Sequence, residues 1–440
     1  MATALILALS LAFTFPSCSD GSSGGSDDDS GQVTTPVENP SDSNGNGSGS
    51  NANPSNPSNP DSGSTNPEPP KATYTVTFDA NGGSGSIASI TEVAGTEITI
   101  PENTLVKEGF EFAGWNTAKN MTGTSYDSGA TFTPNSNLTL YAKWTVDAAN
   151  AAESIKSLEA GEHTVSVVGE IDKYKLIKIA TAIINNENEV EINLDLSGTT
   201  GLTEFPSYVF TSACAPKLTG MVLPKGIVSI LKSAFDGIES LKSVVIPDGV
   251  ESIGSRAFDY CTSLSEAVIP GSVKSIGESA FATCALSEVV IPDSVTEIGT
   301  AAFNRSGISI LKIGKGLTAI PNNSFMVNNL KKITIPSNVK SIGVSAFNRN
   351  YCLTEIVLEE GVETIGDGAF GGSDSPVSVT IPKSVKSIGD NAFGRNGLTV
   401  NYNGTVEEWK ALITINTGYE NLLNATVHCS NGDYTPTAGE

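Results

Sequence analysis

The stretch "IPDGVESIGSRAF" (Ile246–Phe258) decides the fold, because the chain writes it again as "IPGSVKSIGESAF" (Ile269–Phe281) and "IPDSVTEIGTAAF" (Ile291–Phe303). Its phenylalanine recurs at 235, 258, 281, 303, 325, 347, 370 and 393, at intervals of 22 or 23 residues. A fixed period of this length marks a stack of short structural units, each burying its apolar face against the next. One unit reads L-x-x-V-x-I-P-x-x-V-x-x-I-G-x-x-A-F, as in Leu241 to Phe258. Phe210, in the looser "LTEFPSYVF", reads as a degenerate earlier unit.

The unit can be read physically. Side chains alternate along a strand, so Val244 and Ile246 share the inward face while Ser243 and Val245 point outward. Pro247 ends the strand because it has no N–H to give the ladder. Val250 and Ile253 turn inward again, and Gly254 suits a backbone turn. Ala257 lets neighbouring chain come close, and Phe258 fills the middle of the coil. Stacking then predicts a continuous spine of Phe235, Phe258, Phe281, Phe303, Phe325, Phe347, Phe370 and Phe393. At about 4.8 Å per parallel strand, eight coils predict one sheet about 40 Å long.

This unit resembles the BspA-like class of bacterial leucine-rich repeat, also called the Treponema pallidum type, from about Leu202 to Asn403. Gly314 and Glu359 replace the strand-end proline, and "IPNNSF" carries Pro321 and Ser324 for the usual Gly and Ala. Upstream, "VTFDANGG" (Val76–Gly83), "GFEFAGWNT" (Gly109–Thr117), "YDSGATF" (Tyr126–Phe132) and "LTLYAKW" (Leu138–Trp144) alternate apolar and polar residues between turn signals. They resemble the internalin-type B repeat, or Listeria–Bacteroides repeat, which implies a β-grasp-like fold on bacterial surface proteins. Trp115 and Trp144 read as its core.

Between these regions the pattern changes. "DAANAAESIKSLEA" is Ala-rich and helical, "HTVSVVG" and "VEINLDLSG" read as strands, and "DKYKLIKIATAIINN" spaces Leu176, Ile179 and Ile183 as one face of a helix capped by Asp172. The expected fold is therefore mainly β. A leucine-rich-repeat solenoid of 22–23-residue coils occupies 199–403, behind a small α/β N-terminal cap at 146–198. A β-grasp-like module at 73–145 and a disordered Ser/Gly/Asn/Pro-rich linker at 18–72 precede them. A C-terminal cap and tail at 404–440 begins with Thr405 and Glu408 at capping-box spacing and ends in the strand "ATVHCSNGDY".

The N-terminus reads as an export signal over 1–17. Ala2 to Phe15 is apolar, uncharged and too short to span a bilayer. "FPSCSD" places Cys18 as in a bacterial lipobox, so Cys18 is either lipidated or an incidental cysteine after an ordinary cleaved signal. The linker has no Lys or Arg before Lys71 and too little apolar content to fold. The expected location is the bacterial cell surface, lipid-anchored in the outer membrane; the alternative is secretion.

The net charge of −23 argues against nucleic-acid partners. No cofactor or metal is expected, since no Cys/His spacing suits a metal. The two histidines offer little for catalysis: His163 starts a strand, and His428 diverges from Cys429 along another. No enzyme motif is present. Cys261 and Cys284 each lie three residues after a spine Phe, and Cys214 and Cys352 sit at looser offsets. Adjacent coils bring Cys261 and Cys284 within disulfide range, but parallel side chains favour buried free thiols.

Two outward ladders remain for recognition. One is Val222, Val245, Val268, Val290, Lys312, Thr334, Val357 and Thr380. Its neighbour is Gly220, Ser243, Glu266, Glu288, Ile310, Lys332, Glu355 and Ser378. Exposed valines rimmed by Glu and Lys suit a protein partner, although β-propensity alone also places Val in strands, and another part of the chain could cover the sheet. The expectation is a monomeric, surface-anchored binding or adhesion protein for an extracellular protein ligand. Adhesion to host matrix proteins is what the BspA-like resemblance implies. The alternative is a structural or glycan-binding envelope lipoprotein, which would show aromatic platforms that the outward ladders lack.

Overall fold

The computed structural model describes residues 71–121, 123–373, 377–393, 397–414, 422 and 425–434. The signal segment, Cys18 and nearly all of the linker lie outside them. The fold is a stack of coils. Successive spine rings from Phe235 to Phe393 lie 5.1 to 5.7 Å apart and within 13° of parallel. Phe205 and Phe210 extend the stack beneath Phe235, at 4.9 and 5.9 Å. All of these rings are buried.

Backbone bonds lock each coil to the next at the same depth. The N–H of Phe258 donates to Ala280 O at 2.8 Å, and that of Phe281 to Ala302 O at 2.8 Å. On the neighbouring side, Gly254 N–H donates to Ile230 O and Gly277 N–H to Ile253 O, both at 2.7 Å. This corrects the reading of Gly254 as a turn glycine. Its φ is not positive; a Cβ there would lie 2.7 Å from Leu231 C and Lys232 N. The glycine is needed for close approach between coils. The left-handed residues flank the phenylalanine instead. Arg256, Ser279, Ala301, Asn323 and Ser345 stand two before it, and Tyr260, Thr283, Arg305, Val327 and Arg349 two after, with φ between 54° and 59°. Side chains other than glycine are uncommon there, so the coil holds these turns through stacking rather than local preference.

The outward ladders have the expected register. Gly220 pairs Ser243 and Val222 pairs Val245; Ser243 then pairs Glu266. Glu288 pairs Ile310 and Val290 pairs Lys312; Lys332 pairs Glu355 and Thr334 pairs Val357; Glu355 pairs Ser378 and Val357 pairs Thr380. The single unbroken sheet does not form. Its strands fall into three ladders, with breaks between Glu266–Ala267 and Glu288–Val290 and between Ile310–Lys312 and Lys332–Ile335. At the first break like charges would face each other, Glu266 beside Glu288, and like charges across a ladder disfavour pairing. At the second the register sets Ile310 beside Lys332 and Lys312 beside Thr334, so charge does not account for it. Within the ladders opposite charges meet, Lys312 with Glu288 at 3.2 Å and Lys332 with Glu355 at 2.7 Å. A second, narrower row of two-residue strands (Ser252–Ile253, Ser275–Ile276, Glu297–Ile298) runs along another side of the coils.

Both ends of the stack are covered. At the N-terminal end, helices α1 (Ala151–Lys156) and α2 (Lys173–Asn185) pack with the strands Gly161–Glu170 and Val190–Thr200. Leu176, Ile179 and Ile183 are buried, and Asp172 caps α2 by accepting the Lys175 N–H at 2.8 Å. The upstream β module joins directly. Its last strand, Leu138–Asp147, pairs in parallel with Gly161–Glu170 through Thr145–Ser166 and Val146–Val167. One ten-stranded sheet therefore runs from the module into the first coils. At the other end, Thr405 and Glu408 exchange the two bonds of a capping box at the start of α3 (Val406–Thr414). The strand Thr426–Cys429 pairs Thr399–Tyr402, and the hairpin strand Gly432–Tyr434 follows.

Deleting one ring tests the stack. Phe281→Ala should cost about 3–5 kcal/mol, as for other buried Phe→Ala changes, and lower the melting temperature by several degrees. An unshifted melting curve would contradict the spine.

Candidate protein-interaction surface

The outward residues of the repeat strands arise from the period-2 alternation that buries Val244, Val289 and Ile333 on the other face. Val245, Val268, Val290 and Ile310 are 45, 80, 47 and 50% exposed. No described segment covers them. Val222, Val357 and Thr380 are half-buried, whereas Lys312 and Thr334 are exposed. In the neighbouring ladder Glu266, Glu288 and Lys332 are exposed, Ser243, Glu355 and Ser378 half-buried, and Gly220 buried. The exposed aliphatic residues thus gather in the middle coils. Such a cluster rimmed by charge suits protein recognition more than a small-molecule pocket.

The cysteines have a structural role that the sequence reading did not find. Cys261 and Cys284 are free thiols, so the disulfide between them is not formed. Each thiol donates to the carbonyl of the preceding coil's spine residue, Cys261 Sγ to Phe235 O at 3.1 Å and Cys284 Sγ to Phe258 O at 3.2 Å. Later coils fill this place with Ser306, Asn328 and Asn350, which donate to Phe281 O, Phe303 O and Phe325 O at 2.5, 2.9 and 3.0 Å. The Asn328 carbonyl also accepts the N–H groups of Ser306 and Ile308. Phe235 O and Phe258 O also accept the N–H groups of Ile238 and Cys261, at 3.4 and 3.3 Å, so each thiol adds a second hydrogen bond to the carbonyl it reaches in the preceding coil. Burial pushes the Cys261 thiol up to about 12 and that of Cys284 well above its usual value. Both stay protonated and able to donate. The signal was present in the sequence: three residues after successive spine rings stand Cys, Cys, Ser, Asn and Asn, all small hydrogen-bond donors.

The remaining reactive groups do not converge. His428 Nδ1 lies 2.8 Å from Asp433 Oδ1 across the terminal hairpin, and His163 Nε2 meets Glu159 O at 2.8 Å. Burial pushes the His163 imidazole down and the Cys429 thiol up. Among the described residues no three His, Cys, Asp or Glu side chains come together to hold a metal, and no helix is long and apolar enough to cross a membrane. Trp115 and Trp144 are buried in the β module; Phe112 packs edge-on against both, and Trp144 Nε1 donates to Ala80 O at 2.8 Å.

One cleft escaped the sequence reading. It holds about 490 Å³ where the module's Lys119 and Asn120 overhang the first strands, with His163, Asn193 and Ser243 among its lining. Asn193 Nδ2 donates to Asn120 O at 3.2 Å, and its lysines are paired, Lys119 with Glu162 and Lys242 with Glu191. It unites segments far apart in the chain, so no local pattern announces it.

Comparison with known proteins agrees with the architecture. Residues 203–325 and 274–399 match the BspA type leucine-rich repeat region, and residues 74–143 match the Listeria–Bacteroides repeat domain. The chain therefore carries BspA-type leucine-rich repeats behind a Listeria–Bacteroides repeat, and neither is an enzyme family. A Gly-rich membrane protein of Evansella cellulosilytica is 34% identical over 97 residues, covering 20% of this chain and 11% of that protein. The chain thus matches only about a tenth of that curated relative's length. Among solved structures, a leucine rich cell surface protein from Faecalibacterium prausnitzii is 21% identical, covers 70% of this chain and 96% of that one, and has a TM-score of 0.30. A leucine-rich repeat protein from Eubacterium ventriosum is 24% identical, with 55% and 68% covered and a TM-score of 0.36. The Treponema pallidum leucine-rich repeat protein is 26% identical, with 42% and 73% covered and a TM-score of 0.27.

The donor role of the thiols separates two substitutions. Cys284→Ser, which copies the arrangement at Ser306, should leave thermal stability nearly unchanged. Cys284→Ala removes the thiol bond but leaves Phe258 O the Cys261 N–H at 3.3 Å, so it should cost about 0.5–1.5 kcal/mol, the worth of one ordinary hydrogen bond. Equal melting temperatures for the two variants would contradict the role.

Proposed function

We propose that this is a cell-surface binding protein, an adhesin in the broad sense, that offers the outward face of its repeat strands to an extracellular protein. The observation that carries this reading is the contiguous exposure of Val245, Val268, Val290 and Ile310, with Ser243, Glu266, Glu288, Lys312, Lys332, Thr334, Glu355 and Val357 around or beyond them. A specific interface buries about 800 Å² per partner, an area that several coils of the face can supply. The absence of aromatic side chains from the outward ladders favours protein over glycan. A host matrix protein is the partner that the BspA-like resemblance implies.

The double variant Val268→Glu/Val290→Glu puts two carboxylates where a partner would seat apolar groups, and an unpaired buried charge is costly. Proteins retained from host extracts by the wild-type chain should be lost or bound at least tenfold more weakly by the variant, with the melting temperature unchanged. An identical retained set and affinity would contradict the sheet-face reading.

Surface display would come through lipidation of Cys18, with the stretch from 18 to 72 as a tether. Palmitate labelling of the expressed wild-type chain and its disappearance in Cys18→Ala is the expected result. Equal labelling of the two would contradict the anchor.

A further inference from the structure

Acidic residues outnumber basic ones 48 to 25 in the whole chain, yet the 57 residues from Ile298 to Thr354 contain no Asp or Glu and seven Lys or Arg. All seven are exposed. Folding wraps this segment into successive coils whose spine rings, Phe303, Phe325 and Phe347, are spaced 5.4 Å apart. It becomes a cationic belt across a protein of net charge −23.

Two of its lysines are neutralised by adjoining coils, Lys312 by Glu288 and Lys332 by Glu355. Arg305, Lys331 and Arg349 belong to three successive coils and lie on the stretch leading from each spine ring toward its outward strand. Among the described residues none of their side chains is in an ion pair. An exposed guanidinium without a carboxylate in a strongly acidic chain is a charge left for something outside it. Arg also suits carboxylate, because its planar fork donates two parallel hydrogen bonds. The belt adjoins the exposed valines directly, since Val290 pairs Lys312 in the strand register.

We infer that the belt is the electrostatic half of the recognition face and takes an acidic, extended polypeptide segment of the partner. The inference rests on the protein-binding reading of the sheet face. The partner's apolar side chains would lie over Val268 and Val290, and its Asp or Glu run would cross the coils over Lys331 and Arg349. The surrounding negative charge repels acidic chains elsewhere on the surface, so the belt fixes where such a segment lands. Complementary charge of this kind sets register and association rate more than total affinity.

The test uses the full chain and poly-L-glutamate as probe, with binding followed by fluorescence anisotropy at low and at high salt. The wild type should bind it, and salt should weaken the binding as screening shortens the reach of the charges. Arg305→Glu/Lys331→Glu/Arg349→Glu should weaken binding at least tenfold. The control Lys173→Glu/Lys225→Glu/Lys232→Glu makes the same change in net charge outside the belt and should alter binding less than twofold. Absence of polyglutamate binding, an equal loss in the control, or binding of heparin without binding of polyglutamate would each overturn the inference. Polyglutamate has no apolar side chains. Failure of the belt is therefore read separately from failure of the valine face.

Discussion

The spacing between coils is the constraint on which the rest depends. Rings stacked at 5.1 to 5.7 Å set the distance that every other element must match. Parallel strands meet it without strain, since neighbouring strands lie about 4.8 Å apart. Gly254 and Gly277 exist to meet it, for a Cβ at either would enter the preceding coil's backbone. The left-handed residues on both sides of each phenylalanine are tolerated because seven ring-to-ring contacts and the Phe N–H bonds hold the turn in place.

Much of this was legible in the sequence, for identifiable reasons. A period of 22 or 23 with Phe at one place leaves a single way to bury the ring, so the spine could be read without coordinates. The alternation of "LKSVVIP" fixed which residues face out, and the pairings of Ser243, Glu266, Glu355 and Ser378 follow from it. The misread features depend on contacts between coils. Gly254 looked like a turn because glycine serves turns and close approach alike. Cys261 and Cys284 read as buried free thiols, which they are, but their donor role shows only beside Ser306 and Asn328 one and two coils on. The first break in the sheet falls where stacking would set Glu266 beside Glu288, and the join between Leu138–Asp147 and Gly161–Glu170 is a strand pairing that no local pattern announces.

The architecture separates two tasks. Residues turned inward repeat because every coil must fit its neighbours. Residues turned outward are free to differ, and they do: valine predominates from 245 to 290, and Lys and Arg from 305 to 349. The upstream module shares the first sheet and contributes Lys119 and Asn120 to the cleft beside Ser243. It is therefore built against the N-terminal end of the outward strand face and not merely strung before it.

Hydrogen exchange of the native chain, resolved to single amides, tests most directly the claim that stacked coils form one scaffold. The N–H groups of Phe258, Phe281, Phe303, Phe325 and Phe347 should be among the slowest to exchange and should share one opening free energy, since each is bonded to the next coil. Exchange of these five at separate rates, or as fast as exposed loop amides, would mean that the coils open independently, and would contradict the account.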